Sequence, residues 1–166
     1  MKGDARVIET LNSLLARELT VVSQYIVHAE LCESWGYEKL HDQIRKRAIV
    51  EMKHAEKLIG RILFLEGTPV VSNLERVNIG SDVVKMFEND HEVELDAVRR
   101  YNSGIVTCTD VGDYATRELL QRILDDEDKH VDSIEEVRNQ IDLANVSHDE
   151  LYKTVYSARI TARKLV

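Results

Sequence analysis

Apolar residues recur every three or four positions along most of this chain, the spacing that places them on one face of an α-helix. The periodicity and its breaks predict four long amphipathic helices, at about residues 4–34, 37–66, 82–109 and 113–144. Ser81 is predicted to cap the third helix at its N-terminus, with Asp82 in the first turn. A short fifth helix is predicted to begin near Ser147. The predicted fold class is therefore all-α.

The connections between these helices predict the topology. A few residues around Gly36 join the first helix to the second, and a few around Gly112 join the third to the fourth. Such short connections make antiparallel hairpins. Residues 67–80 have little helical pattern and, fully extended, reach about 46 Å, whereas a helix of about 28 residues is about 42 Å long. We therefore expect a four-helix bundle with a long crossover between the second and third helices, which then run parallel.

A pattern of charged residues repeats between the two predicted hairpins. Two Glu-x-x-His tetrads occur 76 positions apart, and each has a glutamate 33 positions upstream of its first residue. The members are Glu18, Glu51 and His54 in the first half, and Glu94, Glu127 and His130 in the second. Residues three apart on a helix project from the same face. The repeat makes the hairpins pseudo-two-fold related, so all six side chains are expected to meet at one site in the middle of the bundle.

The six side chains suit a pair of transition-metal ions. Carboxylate and imidazole donors in this mixture fit iron or manganese. The alternatives are a chance pattern or a buried salt-bridge network, and facing carboxylates without cations would be strongly unfavourable. Two further tetrads, Glu38 to His41 and Glu88 to His91, lack an upstream glutamate. Their glutamates are turned by about 140° and about 120° from the ligand face, so both tetrads are predicted to be solvated helix surface.

Composition limits the remaining possibilities. The 166 residues are predicted to form a single domain, 1–166. A net charge of −8 argues against a nucleic-acid partner and suits a protein that gathers cations. The isolated Cys32 and Cys108 fit a reducing compartment, so a cytoplasmic location is predicted. No signal-peptide pattern is evident and no apolar run is long enough to cross a membrane, so no membrane partner is expected.

The whole chain resembles the bacterioferritin family. The resemblance lies in the helix plan, in the six ligand positions and in stretches such as 51–55 (EMKHA) and 61–67 (RILFLEG). It implies a ferritin-like subunit of a hollow homo-oligomeric shell, a 24-mer built from two-fold dimers. Such a shell oxidises ferrous iron at an intrasubunit di-iron centre and stores it as ferric mineral. A ferredoxin-type reductant is the candidate partner for iron release.

The resemblance also implies a role for each ligand. Glu18 and Glu94 would be terminal ligands, Glu51 and Glu127 bridging ligands, and His54 and His130 one imidazole for each iron. Some members place an additional iron site on the inner shell wall with a His and an Asp, where this chain has Lys46 and Val50. Others have a tyrosine and a tryptophan near the centre, where Leu58 and Ser133 stand here. These departures leave the core oxidation site intact.

Met52 carries a second family feature. In bacterioferritins the matching methionine from each of two subunits ligates one haem b at the dimer interface. Met52 follows Glu51 and so points about 100° away from the metal, towards the bundle exterior. Leu19, Val22 and Ile26 offer an apolar wall on the neighbouring helix. The alternative is a methionine that only fills an interface gap.

Two tyrosines extend the repeat. Tyr25 and Tyr101 are also 76 positions apart, and each follows a predicted terminal glutamate by seven residues. Each hydroxyl is predicted to bond a ligand carboxylate across the bundle, as partners of metal ligands usually do, and could supply an electron during oxidation. The alternative is an ordinary core tyrosine.

Two other functions remain open beside an iron-storage ferroxidase. A rubrerythrin-like peroxide reductase uses a similar di-iron bundle. That family usually adds a glutamate three residues after the third-helix ligand, where this chain has Ala97, and commonly a cysteine-rich electron-transfer module. A haem-carrying structural subunit with little oxidation of its own is the other alternative, and the complete set of six ligands argues against it.

Overall fold

The computed structural model describes residues 1–143, which fold into four helices without a strand in that range. The helices are α1 (Ala5–Ser34), α2 (Glu38–Phe64), α3 (Val83–Asp110) and α4 (Tyr114–Leu143). The all-α class and the long connection between α2 and α3 are thus confirmed. The fifth helix predicted from Ser147 lies outside the described residues.

The predicted cap of α3 was wrong by one residue. Asp82, not Ser81, is the N-cap, because its backbone is extended and its carboxylate accepts a hydrogen bond from the Lys85 amide at 2.9 Å. Ser81 instead donates its hydroxyl to Asp82. Serine and aspartate cap about equally well, so adjacent Ser and Asp leave the start of a helix ambiguous in the sequence.

The repeat extends to the turns that end α1 and α3. Gly36 and Gly112, which are 76 positions apart, both adopt positive φ angles, of 84° and 74°. The amide that follows each glycine bonds back to the carbonyl of Cys32 or Cys108, at 2.8 and 2.9 Å. This is the arrangement with which a left-handed glycine commonly closes a helix. It reverses the chain within a few residues and makes α1–α2 and α3–α4 the predicted hairpins.

Two apolar clusters fill the bundle. The first includes Tyr37, Ile44, Phe87 and Ile134, and the second includes Leu11, Leu58, Ile62 and Leu120. In every helix the residues of the first cluster lie on one side of the ligand positions and those of the second lie on the other. The metal-ligand positions therefore form a polar layer between two apolar blocks.

Side chains of α1 hold the long crossover in place. Asn12, Thr20, Gln24 and His28 accept hydrogen bonds from the backbone amides of Val70, Glu75, Asn78 and Gly80, at 2.8 to 3.0 Å. Their spacing in multiples of four puts the four acceptors on one stripe of the helix. They satisfy the amides of a segment that lacks its own regular bonding, and the crossover follows α1 for about 24 Å.

No described helix is both long and apolar enough to cross a membrane.

Candidate metal centre

The six predicted ligands meet in the middle of the bundle as two overlapping groups. The groups are Glu18, Glu51, His54 and Glu127, and Glu51, Glu94, Glu127 and His130. Within each group the potential ligand atoms all lie within 4.8 Å of one another. Glu51 and Glu127 belong to both groups, while each terminal glutamate and each histidine belongs to one.

The shared carboxylates lie between the two imidazoles. Nδ1 of His54 is 2.9 Å from one oxygen of Glu51 and 2.9 Å from one oxygen of Glu127. Nδ1 of His130 lies 2.8 Å and 3.4 Å from the other oxygen of the same two carboxylates. Each shared glutamate therefore directs one oxygen towards each histidine. Two metal ions, one beside each imidazole, could be bridged by both carboxylates.

The terminal carboxyl groups favour their protonated form. Burial, followed by the negative charges of Glu51 and Glu127, raises the pKa of Glu18 well above its usual value. Burial and the charge of Glu51 raise the pKa of Glu94 to about 8. At neutral pH both groups are therefore mainly neutral acids.

The histidines and the shared Glu127 shift in opposite directions. Burial opposes a charged imidazole, but hydrogen bonds with Glu127 and Glu51 outweigh it and raise the pKa of His54 to about 10. The same balance raises the pKa of His130 to about 12. Burial likewise opposes ionisation of Glu127, but its bonds with the two histidines lower its pKa to about 2. Both imidazoles thus carry a proton that a bound metal ion must displace.

The two tyrosines contact the terminal carboxylates across the bundle. The hydroxyl of Tyr25 on α1 donates to Glu94 on α3, and the hydroxyl of Tyr101 on α3 donates to Glu18 on α1. Both tyrosines are fully buried. Burial, followed by the charges of the neighbouring carboxylates, raises the pKa of each phenol, so both remain hydrogen-bond donors. The contacts follow the pseudo-two-fold symmetry that the sequence repeat predicts.

Met52 points away from the cluster, towards the outside of α2, and is 45% exposed. It lines a groove between α1 and α2 with Val22, Ile26, Ala29, Glu30, Arg45, Ala48 and Ile49. Leu19, which was also predicted for this wall, packs against the second apolar cluster. The groove is therefore apolar for most of its lining and has one positive and one negative side chain.

The two additional Glu-x-x-His tetrads do not join the metal centre. Glu38 and Glu88 are exposed, as predicted. Their histidines are half-buried, so the prediction of solvated surface was wrong for the imidazoles. His41 lies 3.1 Å from a backbone carbonyl of α1, and His91 lies 2.9 Å from Glu135 on α4. Neighbouring helices cover these rings. The angular position of a residue on its own helix does not predict that burial.

Two charged residues near the site were missed in the sequence. The guanidinium of Arg47 lies 5.6 Å from the centre of the Tyr25 ring and donates to Ser133 at 3.3 Å. Asp126 places a carboxylate oxygen 3.5 Å from Nε2 of His54. No arginine stands 76 positions from Arg47, and no aspartate stands 76 positions from Asp126. The repeat that identified the ligands therefore gave no signal for either residue.

The chain is similar in sequence to known proteins. Residues 8–144 match the family model of the ferritin-like domain. The bacterioferritin of Rhodobacter capsulatus is 44% identical over 135 residues, which are 81% of this chain and 84% of that protein. The bacterioferritin of Brucella melitensis is 39% identical over 158 residues, 95% of this chain and 96% of that protein. A bacterioferritin of Mycobacterium tuberculosis is 35% identical over 163 residues, 98% of each chain.

The four-helix plan, the long crossover and the matched ferritin-like domain define a ferritin-like protein. Within that class, the chain belongs to the bacterioferritin family. Its function is therefore iron storage with oxidation of ferrous iron, and the family implies a shell made of copies of one chain. The rubrerythrin-like alternative is not favoured, because the relatives are bacterioferritins over most of the chain.

Proposed function

We propose that the six clustered residues form the ferroxidase centre of this chain and bind two ferrous ions as substrate. Glu18 and His54 would hold one ion, Glu94 and His130 the other, with Glu51 and Glu127 bridging them. The observation that carries the proposal is the pair of shared carboxylates, each with one oxygen towards each imidazole. A salt-bridge network would not require this division of oxygens between two equivalent partners.

The donor set favours the oxidised product. Hard carboxylate oxygens stabilise Fe(III), while the imidazoles still bind Fe(II). Each ferrous ion loses one electron to dioxygen or peroxide, and the ferric ions then pass to the mineral. The tyrosine hydroxyls fix the terminal carboxylates in position and could supply an electron during oxidation.

An anaerobic titration tests the centre directly. Ferrous iron added without oxidant should bind at two ions per subunit, and admission of oxidant should then oxidise both. A parallel measurement of particle size tests the proposed 24-subunit shell built from two-fold dimers. Binding of no ferrous iron within the subunit would contradict the proposed centre, whatever the particle size.

Iron binding is expected to release protons. The metal must displace the protons held by Glu18, Glu94, His54 and His130, whose raised pKa values keep them protonated near neutral pH. Because protons compete with the metal, affinity should rise as the pH increases from about 6 to about 8. A pH-stat should record base consumption during anaerobic addition of iron.

The alanine variant of Glu18 and Glu127 provides the control for this measurement. It should bind little iron and release few protons under the same conditions. A wild-type trace without base consumption would show that the four groups are already deprotonated, against the proposed charge state.

The Met52 groove fits a haem b shared between two subunits. Met52 presents an accessible thioether, the apolar lining suits a porphyrin face, and Arg45 offers a cation for a propionate. Met52 and the matching methionine of a second subunit would together hold the haem iron. A haem bound there would supply a one-electron redox centre.

We propose that residues 1–166 form a single domain. The shell is proposed to reside in the cytoplasm, which fits the isolated and buried Cys32 and Cys108. A ferredoxin-type protein is proposed to deliver the electrons that release stored iron.

A further inference from the structure

The metal centre lies between the two helix hairpins, and each hairpin supplies half of its ligands. The ligands are Glu18, Glu51 and His54 from α1 and α2, and Glu94, Glu127 and His130 from α3 and α4. Each proposed ion position combines three ligands of one hairpin with a bridging carboxylate of the other. The contacts that join the hairpins therefore fix the distance across which both ions are bound.

Arg17 makes such a contact beside the centre. Its side chain is buried, and Nη2 donates a hydrogen bond from α1 to the backbone carbonyl of Val93 on α3, at 2.8 Å. Arg17 immediately precedes the terminal ligand Glu18, and Val93 immediately precedes the terminal ligand Glu94. The bond thus links the two hairpins one residue away from each terminal ligand.

Two carboxylates surround the guanidinium of Arg17. Its Nη1 lies 3.7 Å from Glu75 of the crossover, and its Nε lies 3.5 Å from Asp96 of α3. Arg100 pairs more closely with the same two carboxylates, at 2.6 and 2.7 Å. Since Arg100 is the closer counter-ion of both acids, the contact that distinguishes Arg17 is its bond to the carbonyl of Val93.

This bond differs from the tyrosine contacts that also join the hairpins at the centre. Tyr25 and Tyr101 bond the terminal carboxylates themselves, so their partners change when those carboxylates bind a metal ion. A backbone carbonyl carries the same charge in the empty and in the loaded site. Arg17 can therefore hold α1 against α3 in the same way before and after iron binds.

The contact occurs on one side of the repeat only. The position equivalent to Arg17, 76 residues later, is Val93 itself. Valine has no side-chain donor, so the reciprocal bond from α3 to α1 cannot form. One guanidinium thus provides this link for both halves of the centre.

We propose that Arg17 is a positioning residue of the metal centre: by bonding the carbonyl of Val93, it sets the separation of the hairpins at which both ions are bound. The inference rests on the proposed ferroxidase centre. Ligands must be held to within about 0.5 Å of their binding geometry. Because each ion takes ligands from both hairpins, loss of the bond should weaken the binding of both.

Cobalt(II) binding to the chelator-treated protein tests the proposal without any turnover. Arg17→Met keeps an unbranched side chain and removes the guanidinium. Calorimetry should show that this variant binds both ions about tenfold more weakly than the wild type, the lower end of the effect of losing a supporting contact. The visible absorption of bound cobalt should also change, because the ligand geometry around it changes.

Arg100→Met is the matched control. It removes a guanidinium from beside the same two carboxylates, but among the described residues the bonds of Arg100 are to the side chains of Glu75 and Asp96. Its cobalt affinity and cobalt spectrum should match those of the wild type. The unfolding midpoints of the metal-free variants report separately how much each guanidinium stabilises the fold.

Arg17→Lys is the second variant at this position. It keeps a cation and an N–H donor but lacks the fork of the guanidinium. Its cobalt affinity should lie between those of Arg17→Met and the wild type. If Arg17→Met does not assemble, the comparison of Arg17→Lys with Arg100→Met carries the same test, since only the lysine variant should bind cobalt more weakly than the wild type.

The outcomes separate this inference from the proposed function. Wild-type cobalt affinity and spectrum in the Arg17 variants would overturn the inference and leave the metal centre standing. Equal weakening in Arg17→Met and Arg100→Met would also overturn it, because the effect would then belong to the ion pairs with Glu75 and Asp96. A wild-type protein that binds no cobalt would overturn both the inference and the proposed centre.

Discussion

Replacing Glu18 and Glu127 together by alanine is expected to abolish rapid oxidation of ferrous iron while the helices and the assembly persist. The change removes one terminal and one bridging carboxylate, so two irons can no longer be held side by side. Loss of a supporting partner alone costs about 10- to 100-fold in metal affinity, and loss of two ligands should exceed that. We expect the initial rate to fall by on the order of 100-fold or more.

The fold should survive this double substitution. Glu18 favours its neutral form before iron binds, so its removal takes little charge from the buried site. Removal of Glu127 takes a hydrogen-bond partner from His54 and His130, which can respond by losing their protons. The hydroxyl of Tyr101 also loses its acceptor on Glu18, at a cost of about 1 to 3 kcal/mol. Circular dichroism and particle size should therefore remain close to those of the wild-type protein.

The two additional Glu-x-x-His tetrads offer a matched control for the double substitution. Glu38 and Glu88 are exposed glutamates on α2 and α3 that belong to Glu-x-x-His patterns outside the metal centre. A Glu38→Ala, Glu88→Ala variant has the same change in composition and should oxidise ferrous iron at the wild-type rate. Undiminished oxidation in the Glu18, Glu127 variant would rule out the assigned centre.

The helices and the ligand set could be predicted because both rest on regular spacing. Apolar periodicity marks where a helix must bury one face, and glycines such as Gly36 and Gly112 mark where it ends. The ligand positions were recognisable because the 76-residue repeat selects the same helix faces twice. Glu38 and Glu88 matched the local motif but failed the repeat, and the structure places them outside the centre.

What the sequence could not show depends on contacts between helices without a repeated counterpart. His91 is covered because Glu135 of α4 lies beside it, and Arg47 reaches Tyr25 on another helix. Asp126 is adjacent in sequence to Glu127, yet its approach to within 3.5 Å of His54 depends on how α4 lies beside α2. Helix packing fixes such pairs, and periodicity along one helix carries no information about them.

Replacement of Met52 by leucine is expected to remove bound haem and leave ferrous oxidation unchanged. Leucine fills about the same volume but offers no donor to haem iron, and Met52→His offers a harder and shorter one. Met52 is 45% exposed on the groove face of α2, whereas Glu51 is buried in the cluster. Substitution at such a surface position usually changes stability by no more than about 0.5 kcal/mol, so size and assembly should be preserved.

Haem content after reconstitution, together with the low-spin spectrum, measures the effect of Met52→Leu. The neighbouring Ile49 lines the same groove, so Ile49→Leu is a control that changes the apolar surface without removing a thioether. That control should keep its haem. Unchanged haem in Met52→Leu would show that Met52 only packs at an interface. Loss of oxidation together with haem would mean that the groove and the metal centre, on different faces of α2, are energetically coupled, because the ligands themselves are untouched by the substitution.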